Sequence, residues 1–189
     1  MQQWLLNWIS NASDFHSMIL AVAVWHIWEN RNSIRNGEKM PHPSRVTKRM
    51  GIGVVIRNHL GLMLAESRRY VDHVDNPELG EAIAMRHALM FAEENGFQKI
   101  IVASDCFNLI TKVRSHENDR SHIGALVFDI KSRAPKFTSC CFTHVSRYCN
   151  EAPHVLAKSA EYDAGSCWFN EIPDVIRTTV CTEQASMYE

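Results

Sequence analysis

Two carboxylates, Glu81 and Asp105, stand where the residue pattern predicts element ends. Glu81 opens Glu-Ala-Ile-Ala-Met-Arg-His-Ala-Leu-Met-Phe-Ala-Glu-Glu-Asn-Gly, whose apolar spacing predicts a helix over 81–95 closed by Gly96. Asp105 ends Lys-Ile-Ile-Val-Ala-Ser-Asp, a short apolar run that reads as a buried strand. An acid leading a helix and an acid ending a strand can gather oxygen donors around a hard cation such as Mg²⁺. Each also has an ordinary reading. A helix dipole favours an acid in its first turn, which would account for Glu81. Asp105 could cap a helix beginning at Cys106.

The surrounding pattern is that of an α/β chain. Gly51 to Arg57 and Leu62 to Val71 read as two strands around a turn at Asn58 to Gly61. After the strand Ile100 to Ser104, a short helix is expected over Cys106 to Val113 and another over Ile123 to Arg133. Phe137 to Val145 follows as a strand, and Asn150 to Tyr162 as a last helix whose Pro153 fits only in its first turn. Residues 1–36 read as helix, with Trp4, Trp8, Trp25 and Trp28 at helix-compatible spacings. Gly37 to Pro43 reads as a linker. The organisation expected is a helical arm over 1–40, a domain over 45–165 and a C-terminal tail over 166–189 that docks through Trp168, Phe169 and Ile172 before fraying.

Composition narrows the partners less than the motifs do. The chain has 189 residues and a net charge of −1, which exerts no global pull on nucleic acid or membrane. The run Arg45, Lys48, Arg49 could touch a phosphate backbone or simply be a solvated linker. Six cysteines without a Cys-x-x-Cys pair suggest reduced thiols inside the cell, cytoplasmic or nuclear. His144 beside Cys141 lacks a second ligand pair for zinc and is expected in the core. Neither a signal peptide nor an apolar run of about 20 residues is present.

Four pieces in order resemble the ribonuclease H family, in the plant version that trails non-LTR retroelement reverse transcriptases. They are Gly51-Ile-Gly-Val-Val-Ile-Arg-Asn, the helix opening Glu81-Ala-Ile-Ala-Met-Arg-His-Ala-Leu, Ser104-Asp105, and His144-Val-Ser-Arg-Tyr-Cys-Asn-Glu-Ala-Pro-His-Val-Leu-Ala157. The resemblance spans about Arg45 to Tyr162, and Trp25-His-Ile-Trp-Glu-Asn-Arg-Asn32 looks like the connector after the reverse transcriptase. It implies a mixed sheet flanked by helices and metal-dependent hydrolysis of the RNA strand of an RNA–DNA hybrid. Paired Mg²⁺ (or Mn²⁺) ions across the scissile phosphate would do that chemistry. By the motif, Glu81 and Asp105 are metal ligands and catalytic, and His154 stands where active relatives carry a last acid. Arg147 and Asn150 match the loop before the last helix, where Arg can meet phosphate and Asn can cap; an ordinary capped loop fits them equally.

Two departures bear on activity. No Asp occurs between Asp14 and Asp72, and the segment from Gly37 to Met50 is too polar for a central strand, so the first strand is expected to be missing or degenerate along with its Asp. Imidazole at His154 is also a softer ligand for Mg²⁺ than a carboxylate. Cleavage is therefore expected to be impaired, the alternative being a non-catalytic interaction module or a vestige. Geometrically, Glu81 and Asp105 should converge, His154 should face them from the first turn of the last helix, and mutual repulsion should raise one carboxylate's proton affinity.

Overall fold

In the computed structural model the described residues are 18–26, 49–74, 76–162 and 165–185, with only the backbone described for 18–26, 49, 161–162 and 184–185. Six strands form one sheet: β1 (Met18–His26), β2 (Arg49–Arg57), β3 (Met63–Asp72), β4 (Lys99–Ser104), β5 (Ser139–His144) and β6 (Ser166–Phe169). Their spatial order is β5-β4-β1-β2-β3-β6. The helices are α1 (Pro77–Glu94), α2 (Phe107–Arg114), α3 (Gly124–Arg133), α4 (Glu151–Lys158) and α5 (Asp174–Ala185). Among the described residues, no helix is long and apolar enough to cross a membrane.

The first strand is not missing. Met18–His26, expected as helix, runs between β2 and β4, antiparallel to the one and parallel to the other. It fills the centre of the sheet that Gly37 to Met50 had seemed too polar to fill. The physical reason lies in its nine residues, Met-Ile-Leu-Ala-Val-Ala-Val-Trp-His. An interior strand with a parallel neighbour is covered on both faces and reads as an unbroken apolar run, without the alternation that marks a half-exposed strand. The remaining residues of the expected arm (Trp4, Trp8 and Trp28 included), and Arg45 and Lys48, lie outside the described residues.

Helices cover both faces of the sheet. On one face α1, α2 and α3 pack against Ile52, Val54, Ile56, Ile100 and Val102. On the other, α4 and α5 close over Val55 and Met63. Strand periodicity sends alternate β2 residues to opposite faces, and Val54 and Val55 duly belong to different cores. Helix α4 lies directly on the backbone of β2. A Cβ on Gly53 would stand 2.1 Å from the Pro153 carbonyl oxygen, and one on Gly51 would stand 1.9 Å from that of Ala157. Only glycine permits so close an approach.

Helix α1 begins a full turn before Glu81. Asn76 caps it, its side-chain oxygen accepting from the N–H groups of Glu78 (2.9 Å) and Leu79 (3.4 Å), with Pro77 in the first position. Glu78 is the acid of the first turn, so the dipole reading does not account for Glu81. Replacing Asn76 with Ala is expected to cost about 1 kcal/mol in chemical denaturation, the ordinary value of such a cap.

Candidate functional site

The carboxyl end of β4 meets the second turn of α1 and the start of α4. Ser104, fully buried at the end of β4, donates its hydroxyl to Glu81 Oε2 at 3.2 Å and accepts the Cys106 N–H at 3.1 Å. It thereby ties the helix acid to the turn holding Asp105. No role for Ser104 follows from the sequence alone, where a hydroxyl one residue before the strand-end acid is the local signal. The thiol of Cys106 senses the same neighbourhood, raised first by burial and then by the charges of Glu81, Glu78 and Asp105.

Asp105 caps nothing. Cys106 occupies the N-cap position of α2 without a side-chain cap bond, so the capping reading fails. The Asp105 carboxylate turns instead to α4. Its Oδ2 lies 3.0 Å from His154 Nε2, and its Oδ1 accepts from the Asn150 amide at 3.2 Å. Burial works to raise the proton affinity of Asp105, but the bond from His154, its charge and the Asn150 amide outweigh it. The net effect holds the carboxyl below its usual range. Repulsion was expected to raise one of the paired carboxylates. At Asp105 the shift runs the other way, because His154 and Asn150 both bond to its carboxylate.

His154 is buried in the fourth helical position of α4, just after Pro153. Asn150 sits at the N-cap position of that helix, yet its side chain makes no cap bond there. Arg147 is exposed in the 3-10 turn Arg147–Cys149. His144, expected in the core, is exposed at the end of β5, where its ring meets Phe107 edge-on with centroids 5.5 Å apart.

The donors can be set against the paired divalent ions that the resemblance implies. Glu81 and Asp105 supply hard oxygen ligands, but β1 contributes no Asp or Glu. Both Asp105 oxygens already hold hydrogen bonds. Among the described residues, no group of three or more His, Cys, Asp or Glu could hold a metal ion. Two adjacent divalent ions do not fit so few carboxylates.

Known structures share this architecture. The N-terminal RNase H domain of Rv2228c from Mycobacterium tuberculosis superposes with a TM-score of 0.61 at 16% identity, over 79% of this chain and 96% of that one. RNase H1 from the archaeon Halobacterium salinarum gives 0.59 at 18% identity, over 78% and 98%. The metagenomic LC11-RNase H1, solved in complex with an RNA/DNA hybrid, gives 0.58 at 17% identity, over 76% and 95%. No curated protein matches the chain in sequence. The model of the reverse transcriptase-like family matches residues 44–160, well over half the chain, and on that match together with the shared ribonuclease H fold the chain belongs to the reverse transcriptase-like family.

Proposed function

We propose that this chain is a ribonuclease H-type domain that binds RNA–DNA hybrids at the cleft around Asp105 and is impaired in cutting them. The observation that carries the reading is a gathered set of polar side chains that includes only two carboxylates. Glu81, Asp105, His154 and Asn150 come together at one sheet end through Ser104 and two hydrogen bonds. The central strand beside them holds no acid. A hybrid would be recognised by its A-form-like shape and the 2′-hydroxyls of its RNA strand rather than by base sequence. Exposed Arg147, in the loop leading to Asn150, is suited to a phosphate. A single Mg²⁺ or Mn²⁺ shared by Glu81, Asp105 and a substrate phosphate is the most these side chains offer.

Titration of the full chain with a labelled RNA–DNA hybrid at several salt concentrations tests the binding. Affinity that falls with salt is expected, and Arg147→Ala should weaken it without altering preference among sequences. Incubation with Mg²⁺ or Mn²⁺ tests the chemistry. Robust cleavage abolished by Glu81→Gln would show that the missing strand acid is dispensable. Failure to bind the hybrid even at low salt would instead favour a protein-interaction module or a vestige.

A further inference from the structure

Helix α4 has only eight residues and carries His154, so the position of its first turn sets the cleft. The Asn150 side chain makes no cap bond to that turn, and its amide N–H donates to Asp105. The N–H of Ala152 is taken instead by Glu183 Oε1, 3.2 Å away and 31 residues later in the chain. Glu183 belongs to α5, beyond the family-matched residues. Its other oxygen accepts from the Arg57 guanidinium at the end of β2, and both side chains of this pair are about nine-tenths buried.

We infer that Glu183 is a positioning residue for the cleft: α5 supplies the cap bond that Asn150 does not make, and so holds α4 in register while Asn150 holds Asp105. Three elements meet on this one carboxylate. Arg57 fixes it to β2, the strand on which α4 rests through Gly51 and Gly53. Its bond to Ala152 fixes the helix two residues before His154. A helix this short gains little from its own hydrogen bonds, so an end bond from outside weighs heavily on where it sits.

The inference rests on reading the Asp105 cleft as a nucleic-acid site, and two substitutions in the full chain test it. Glu183→Gln keeps an acceptor long enough for Ala152 while removing the charge. Glu183→Asp keeps the charge and falls one methylene short. Amide exchange at Ala152 and His154, compared with Ala84 and Ala88 of α1, reports the cap directly. Glu183→Asp is expected to speed exchange at Ala152 and His154 alone and to weaken hybrid binding roughly fivefold. Glu183→Gln should leave both near wild type even if its melting temperature drops. A purely structural role predicts that affinity follows stability, whichever variant is the less stable. Unchanged Ala152 exchange in Glu183→Asp, or loss of affinity confined to Glu183→Gln, would overturn the inference. A wild-type chain that binds no hybrid would remove the nucleic-acid reading, while the exchange comparison would still decide whether Glu183 positions α4.

Discussion

On the proposed reading, Ala23→Asp is expected to give this chain the ability to cut an RNA–DNA hybrid. The strand pairing singles out this position. Ala23 lies opposite Gly53 on β2, and Gly53 faces the backbone of Pro153 in α4. On the other side, β1 and β4 run in parallel register from Met18 opposite Ile100 to Ala21 opposite Ala103. Two residues further along, position 23 falls level with Asp105. A carboxylate there would add the hard ligand that the nine residues of β1 lack. The gain in hybrid cleavage with Mg²⁺ is expected to be on the order of a hundredfold, comparable to a single preorganised electrostatic group in other sites. Ala23→Asn is the control, and Glu81→Gln in the Ala23→Asp background should abolish the gain. A second readout does not depend on cleavage. Two acids brought close repel one another, so the variant should melt lower than wild type without divalent ions and recover when Mg²⁺ is added. An Ala23→Asp chain that binds hybrid as wild type does, is unaffected by Mg²⁺ and cuts nothing would show that the missing acid is not what limits this domain.

The largest stability effect is expected at Glu66. This residue of β3 pairs with Val55 on β2 and Trp168 on β6, and its side chain is fully buried beneath α4 and α5. Neither carboxyl oxygen has a hydrogen-bond partner. Burial pushes its pKa up from 4.5 to about 7, outweighing the pull of Arg57 the other way. Other charged groups at this core are Glu183, paired with Arg57, and Arg68, which lies over the Trp168 ring. The folded chain therefore keeps the Glu66 proton where the unfolded chain has released it. The associated stability is full below pH 4.5 and is lost as pH rises through about 7. Integrated over that window, the loss is about 3 kcal/mol. Denaturant midpoints measured across the range should fall with pH in wild type and much less in Glu66→Gln. His87 tilts the acid side in the opposite sense. Burial, then Arg69, lowers its pKa from 6.5 to about 4, so its contribution is present above 6.5 and disappears as pH falls through 4. The difference between wild type and Glu66→Gln isolates the one group. An identical pH slope in both chains would mean that Glu66 reaches solvent or a donor in solution.

The legible parts of the sequence were those whose signals are local. The β2–β3 hairpin follows from the turn at Asn58 to Gly61, where the Asn58 side chain accepts the N–H groups of Leu60 and Leu62. Strand β4 followed from a short apolar run bounded by polar residues. Helix α1 was expected four residues late because Glu81 looked like an opening acid, whereas Asn76 and Pro77 carry the stronger start signal. Strand β1 was expected as helix because the apolar run Met18 to Trp25 fits a buried strand or a buried helix equally well by periodicity. Its length, with Ile19, Val22 and Val24 β-branched, was the available arbiter. At the cleft, the approach of His154 to Asp105 could be anticipated from motif order. The Asn150 side chain could not, since a cap and a cross-link to Asp105 look alike in sequence. Glu183 meets Arg57 from 126 positions away, and no spacing rule reaches that far.

Strand β6 has a bearing on how this protein can be handled. It lies along the outer edge of β3, pairing from Ala65 to Arg68, while α5 behind it covers Val55 and Met63. A fragment trimmed to the family-matched residues 44–160 would lose both elements. It would bare a row of backbone donors and acceptors along β3, the kind of edge that recruits strands from other molecules. It would also lose β1, which lies wholly before residue 44, and so leave β2 and β4 without the strand between them. Such a fragment is expected to self-associate, having lost the outer strand beside β3 and the central strand together.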